Sequence, residues 1–146
     1  MKTKDFFQRL DEARVVEAIR QAEELTSGEV RVLVTRRRLH GADVAARARE
    51  EFARMGMTHA AGDHAVLFYI APSDQAYAVT GGEAIHAKVG QSFWEEIAEM
   101  LRADFVRSEF TSGLVGGILR VARELALHYP RTAADHNELP DEIARD

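Results

Sequence analysis

Within the first 25 residues, Phe6, Leu10, Val15, Ile19, Ala22 and Leu25 recur at intervals of three to five, with charges between them. That is the spacing of a helix with one apolar stripe. It predicts an amphipathic first helix over Asp5 to Leu25, interrupted near Asp11. Thr26-Ser27-Gly28 is expected to close it, because glycine accepts the left-handed conformation of a helix end. The period then changes. From Glu29 to Thr35, Val30, Val32 and Val34 alternate with Arg31, Leu33 and Thr35, which predicts a strand. Ala45, Ala48, Phe52 and Met55 return to steps of three and four, so a second helix is expected from Asp43 to Met55. Ala65 to Ile70 is an unbroken apolar run with β-branched and aromatic members, the pattern of a strand buried on both faces. Pro72-Ser73-Asp74-Gln75 supplies turn chemistry, and Ala76 to Thr80 runs back as the second arm of a hairpin.

Further on, Glu83 to Lys88 predicts a short helix that Gly90 breaks. Ser92 to Phe105 carries Phe93, Ile97, Met100, Leu101 and Phe105 at helical spacing. Thr111 or Ser112 is placed to cap a last helix whose buried stripe is Leu114, Ile118, Val121, Ala122 and Leu125. Gly116-Gly117 inside it lowers helix propensity by about 1 kcal/mol per glycine and implies a close approach to another backbone. Pro130 ends the predicted regular structure, so residues 1–130 read as one domain and 131–146 as a polar surface tail. The order strand, helix, strand predicts a right-handed βαβ crossover, with Glu29–Thr35 parallel to Ala65–Ile70. Parallel neighbours start at the same edge. Glu29, Gly62-Asp63-His64 and Gly81-Gly82-Glu83 are therefore expected to meet there.

Composition narrows the chemistry. The 146 residues are 46% hydrophobic and 29% charged, ordinary for a globular domain of a size that buries its own core. No cysteine is present, which excludes disulfides, thiolate zinc sites and a cysteine nucleophile. The net charge of −5 speaks against a nucleic-acid partner, since such domains carry an excess of Lys and Arg. Nothing near the amino terminus has the apolar core of a signal peptide, and no stretch approaches the roughly 20 apolar residues of a membrane span. The expectation is a cytoplasmic protein with no membrane insertion. Arg36-Arg37-Arg38 is read as a solvated loop at a strand's end, with anion contact as its minor alternative.

The order TSGEVRV, an apolar-faced helix, GDHAVLFYIAPSDQAYAVTGGEAIHAKVG, then FW and DFVRSEFTSGL resembles the TPM domain family over about Phe7 to Tyr129. The ending Asn137-Glu138-Leu139-Pro140-Asp141 resembles that of short bacterial members. The resemblance implies a three-layer α/β/α sandwich, with a βαβ unit and a hairpin in a small mixed β-sheet and helices on both faces. It also implies calcium or another divalent cation at the strand-edge loops, and an acid phosphatase activity attached to some members. The family's Asp-Asn-Gly stands here as Asp63-His64-Ala65, and its Gly-Asp turn as Gly82-Glu83.

These residue types suit a hard cation. Calcium takes about six to eight oxygen ligands, including carboxylates, carbonyls and water. Asp63, Glu83 and Glu29 offer carboxylates from three strand ends, and the glycines at 62, 81 and 82 let carbonyls turn inward. His64 adds a nitrogen that biases the site toward a transition metal. Singly, each has an ordinary role: Asp63 in a turn, Glu83 in a first helical turn, Glu29 paired with an arginine, and His59, His64 and His86 as surface or supporting residues. The first reading is thus a divalent-cation (Ca2+ or Mg2+) domain. The second is a metal-dependent acid phosphatase using water on a metal held by Asp63 and Glu83, with His64 or His86 as proton donor; no catalytic residue is assigned. The third is a metal-independent adaptor that docks a protein partner through Phe93-Trp94 or the first helix, although aromatics at helical spacing ordinarily serve the core.

Overall fold

The computed structural model describes residues 1–59, 64–132 and 141–146. The first apolar stripe forms two helices, α1 (Thr3–Gln8) and α2 (Glu12–Leu25). The break falls at Asp11, whose carboxylate accepts the Arg14 N–H at 3.3 Å and so caps α2. Strand β1 (Glu29–Val34) leads to α3 (Val44–Arg54), capped in the same way by Asp43 on the Ala46 N–H. Strand β2 (Ala65–Ala71) turns through a 3₁₀ segment, Pro72–Asp74, into β3 (Ala76–Gly81). Helices α4 (Glu83–Val89), α5 (Gln91–Phe105) and α6 (Phe110–His128) follow, and β4 (Ala144–Arg145) comes last.

The strands form one sheet in the order β3-β2-β1-β4, with β1 parallel to β2 and β4, and β2 antiparallel to β3. Alternation gives the sheet two apolar faces. Val30, Val32, Val34, Val66, Phe68, Ile70 and Val79 pack with the buried residues of α2, α5 and α6. On the opposite face Leu33, Ala65, Leu67, Tyr69 and Ala78 pack with Ala48 and Phe52 of α3 and with Met57. This is the expected α/β/α sandwich, and β2 is buried along its whole length.

Several details depart from the sequence reading. Gly28 does not close α2 in a left-handed conformation; Thr26 ends the helix in extended backbone. Its glycine is needed for a close approach instead, since a Cβ there would lie 2.9 Å from the His64 carbonyl oxygen. No side chain caps α6, and Thr111 Oγ1 accepts the Asp11 N–H at 3.0 Å, tying that helix to the α1–α2 break. Of the adjacent glycine pair in α6, Gly117 meets the Phe68 ring and Leu101 rather than a backbone, and a Cβ on Gly116 would have nothing within 4 Å among the described residues. Leu25 and Met100, counted in apolar stripes, are 46% and 41% exposed. Regular structure does not stop at Pro130. Pro130 bridges to Thr26, and residues 143–146 return to the sheet, with Ile143 buried and β4 paired to Leu33 and Val34.

Candidate functional site

The parallel register sets Glu29 opposite Ala65, and the hairpin sets Gly81 opposite Val66. The Glu29 N–H donates to the His64 carbonyl at 3.2 Å, and the Gly82 N–H to the Ala65 carbonyl at 2.9 Å. Glu29, His64 and the Gly81-Gly82 turn thus meet at one edge, as the hydrophobic pattern implied. Trp94 fixes the last of them. It is 2% exposed, its Nε1 donates to His86 Nδ1 at 2.9 Å, and its ring lies where a Cβ on Gly81 would be, at 2.5 Å. An Nδ1 that accepts leaves the neutral ring's proton on Nε2. Helices α4 and α5 are thereby pinned beneath the Gly81-Gly82 turn. Phe93 and Trp94 belong to the core.

The side chains at this edge diverge. Glu83 is exposed at the start of α4 and lines a cavity of about 290 Å³ with Arg49, Phe52, Ala53, Thr58, Thr80, Gly81 and Gly82. The His64 ring turns the other way and stacks on Tyr129, 3.5 Å between centroids at 21°. Tyr129 is held there because its carbonyl accepts the Ser27 N–H and the Thr26 hydroxyl. Glu29 is 4% exposed. Asp63, Gly62, the His59 side chain and Asn137 to Pro140 lie outside the described residues. Among the described residues, no three His, Asp or Glu side chains are grouped to hold a metal ion. The cavity lining combines the Glu83 carboxylate and the Thr58 and Thr80 hydroxyls, hard oxygen groups of the kind calcium or magnesium takes, with the Arg49 guanidinium and the apolar Phe52 and Ala53.

A second acidic group went unnoticed in the sequence. Glu23, in the last turn of α2, has its pKa pushed up to about 8. Burial is the main cause, followed by its hydrogen bond with Asp141 and the charges of Asp141 and Glu29, while Arg131 opposes them. The Glu23 carboxyl is thus hydrogen-bonded to Asp141 at the carboxyl end of α2. Asp141 also lies 3.9 Å from Arg20. Arg49 was likewise missed, although Arg49, Phe52 and Ala53 stand at i, i+3 and i+4 and so share the α3 face that meets the end of β3.

The arrangement is that of an α/β/α sandwich whose loops gather at the starting edge of two parallel strands. Residues 1–124 match the TPM domain, and the chain belongs to that family. Among solved structures, it is similar to the BA42 protein of the psychrophilic bacterium Bizionia argentinensis, at 32% identity and a TM-score of 0.82, with 92% of each chain covered. The N-terminal domain of a protein from P. gingivalis shares the fold at 17% identity and a TM-score of 0.63, over 84% of this chain and 82% of that one. No curated protein matches the chain. No helix among the described residues is long and apolar enough to cross a membrane.

Proposed function

We propose that this TPM domain binds a divalent cation, Ca2+ or Mg2+, at the edge where β1 and β2 start and β3 ends. Asp63 and Glu83 are its anchoring carboxylates, and Glu29 and His64 flank it. The observation that carries the reading is the backbone register. Glu29 pairs with Ala65, its N–H bonds the His64 carbonyl, and the Gly82 N–H bonds the Ala65 carbonyl, so Glu29, His64 and the Gly82-Glu83 turn lie at the same level of adjacent strands. The cavity beside Glu83, about 290 Å³ with Thr58 and Thr80 in its lining, leaves room for ligating water. With few carboxylates the affinity is modest, in the range of about 10⁻⁴–10⁻³ M. A thermal melt tests this. At metal concentrations about 100-fold above Kd, binding to the folded state alone adds roughly 2.7 kcal/mol of stability. A Glu83→Ala, Asp63→Ala variant that gains as much as the wild type from Ca2+ refutes the assignment.

Arg49 favours metal-dependent phosphomonoester hydrolysis as the second reading. Transfer of a phosphoryl group needs positive charge near its oxygens, and Arg49 lines the cavity that Glu83 lines. On this reading Arg49→Ala lowers metal-dependent turnover of a generic phosphate ester by at least about tenfold while Ca2+ binding survives. Absence of any turnover with Ca2+, Mg2+ or Mn2+ refutes it.

A further inference from the structure

We propose that the opposite edge of the sheet holds a second site, one for the phosphate group of a small molecule. Strands β1, β2 and β4 are mutually parallel, and their carboxyl ends deliver Arg36, Ser73 and Arg145-Asp146 to one cavity of about 700 Å³. Lys2, Thr3, Lys4 and Phe7 of the first helical segment complete its lining. In open α/β sheets, ligands sit outside the carboxyl ends of parallel strands, where neighbouring connections run to opposite faces. Here that point lies between β1 and β4. From β1 the chain crosses by α3 on one face to β2, and it reaches β4 after α6 on the other.

The charge at this place runs against the chain as a whole. Four cations line the cavity in a protein of net charge −5. Lys2, Lys4 and Arg36 have no ion-pair partner among the described residues. The one acid, Asp146, is already flanked by Arg54 at 3.5 Å and Arg37 at 3.8 Å. Arg145 is held in place by stacking on Phe7, with its guanidinium carbon 3.6 Å from the ring centroid, and by Glu12 at 2.6 Å. A guanidinium has five N–H donors, so these contacts leave others for a ligand. The Thr3 hydroxyl bonds the Thr35 carbonyl at 3.2 Å, fixing Lys2 and Lys4 beside the end of β1. Unpaired cations around a cavity of ligand size match a phosphate-bearing small molecule, with Phe7 as an apolar wall for its organic part.

The site stands apart from the cation edge, so the two are tested independently. Amide NMR of the full chain is followed during titration with inorganic pyrophosphate, then with AMP, each up to about 10 mM at low salt. The expected result is saturable shifts at Thr3 to Phe7, Arg36, Ser73 and Arg145-Asp146. A Lys4→Ala, Arg36→Ala variant binds at least about tenfold more weakly, whereas Lys88→Ala, Arg123→Ala, which removes the same charge from exposed positions elsewhere, binds like the wild type. A lower Kd for AMP assigns the site to organic phosphates, and an equal or higher one to inorganic phosphates. Absence of saturable shifts, shifts spread over the surface, or equal weakening in both variants overturns the proposal. Retained native spectra of the variants exclude misfolding as the cause.

Discussion

Gly81→Ala is the sharpest test of how the candidate edge is built. The new methyl carbon would lie 2.5 and 2.8 Å from two atoms of the Trp94 ring and 2.9 Å from Ile85 Cγ2. Neither neighbour is the loose end of a flexible chain. Trp94 is fully packed and tied to His86, and Ile85 is 1% exposed. The turn or the ring must therefore move, and overpacking of this kind costs about 1–3 kcal/mol. For a chain of this size, that lowers Tm by roughly 3–10 °C. Urea unfolding followed by circular dichroism reads the loss, and emission of the single tryptophan reports the ring's displacement. A Trp94→Phe background removes the two clashing ring atoms. There the same alanine should cost less by at least about 1 kcal/mol, the coupling expected of residues in contact. A cost below about 0.5 kcal/mol in the wild-type background, or an equal cost in both, refutes the account of Trp94 as the wedge that fixes Gly82-Glu83.

Two more predictions concern the β1 side of the sheet. The folded-state pKa of Glu23 lies above its ordinary value, so its proton stabilises the fold fully below pH about 4.5, and that contribution is lost as pH rises to about 8. Discounted for the partial exposure of Glu23, the loss amounts to about 1–2 kcal/mol; urea melts at both ends of this range should show it in the wild type and not in Glu23→Gln. Ile143→Ala should cost about 2 kcal/mol by opening a cavity under β4, and a loss below about 0.5 kcal/mol in chemical unfolding would remove β4 from the folded core.

The elements facing the core were legible because period alone specifies them. The β1 alternation, the all-apolar β2 and the α6 stripe each left one arrangement open, and the parallel pairing of β1 with β2 followed from the intervening helix. What stayed hidden depends on contacts distant in sequence. Strand β4 is an Ala-Arg pair with no apolar run of its own; its signal is Ile143 alone. The stack of His64 on Tyr129 joins residues from two loops and leaves no periodic trace. Gly28 and Gly117 were seen as glycines, but their reason is a neighbour's carbonyl in one case and the Phe68 ring in the other. Backbone register could be read from pattern, so the meeting of the strand ends at Glu29, His64 and Gly81-Gly82 was foreseen. Side-chain direction could not, and His64 and Glu83 turn to different neighbours.

Asp63 and Glu83 are proposed to hold a cation at the strand-start edge. The most direct test is an amide NMR titration of metal-stripped protein with Ca2+ and then Mg2+, repeated on Asp63→Ala, Glu83→Ala. Saturable shifts are expected at Glu29, His64 and Gly81 to Glu83, and they vanish in the double variant. Absence of shifts at millimolar metal, or shifts that persist in that variant, would contradict the assignment.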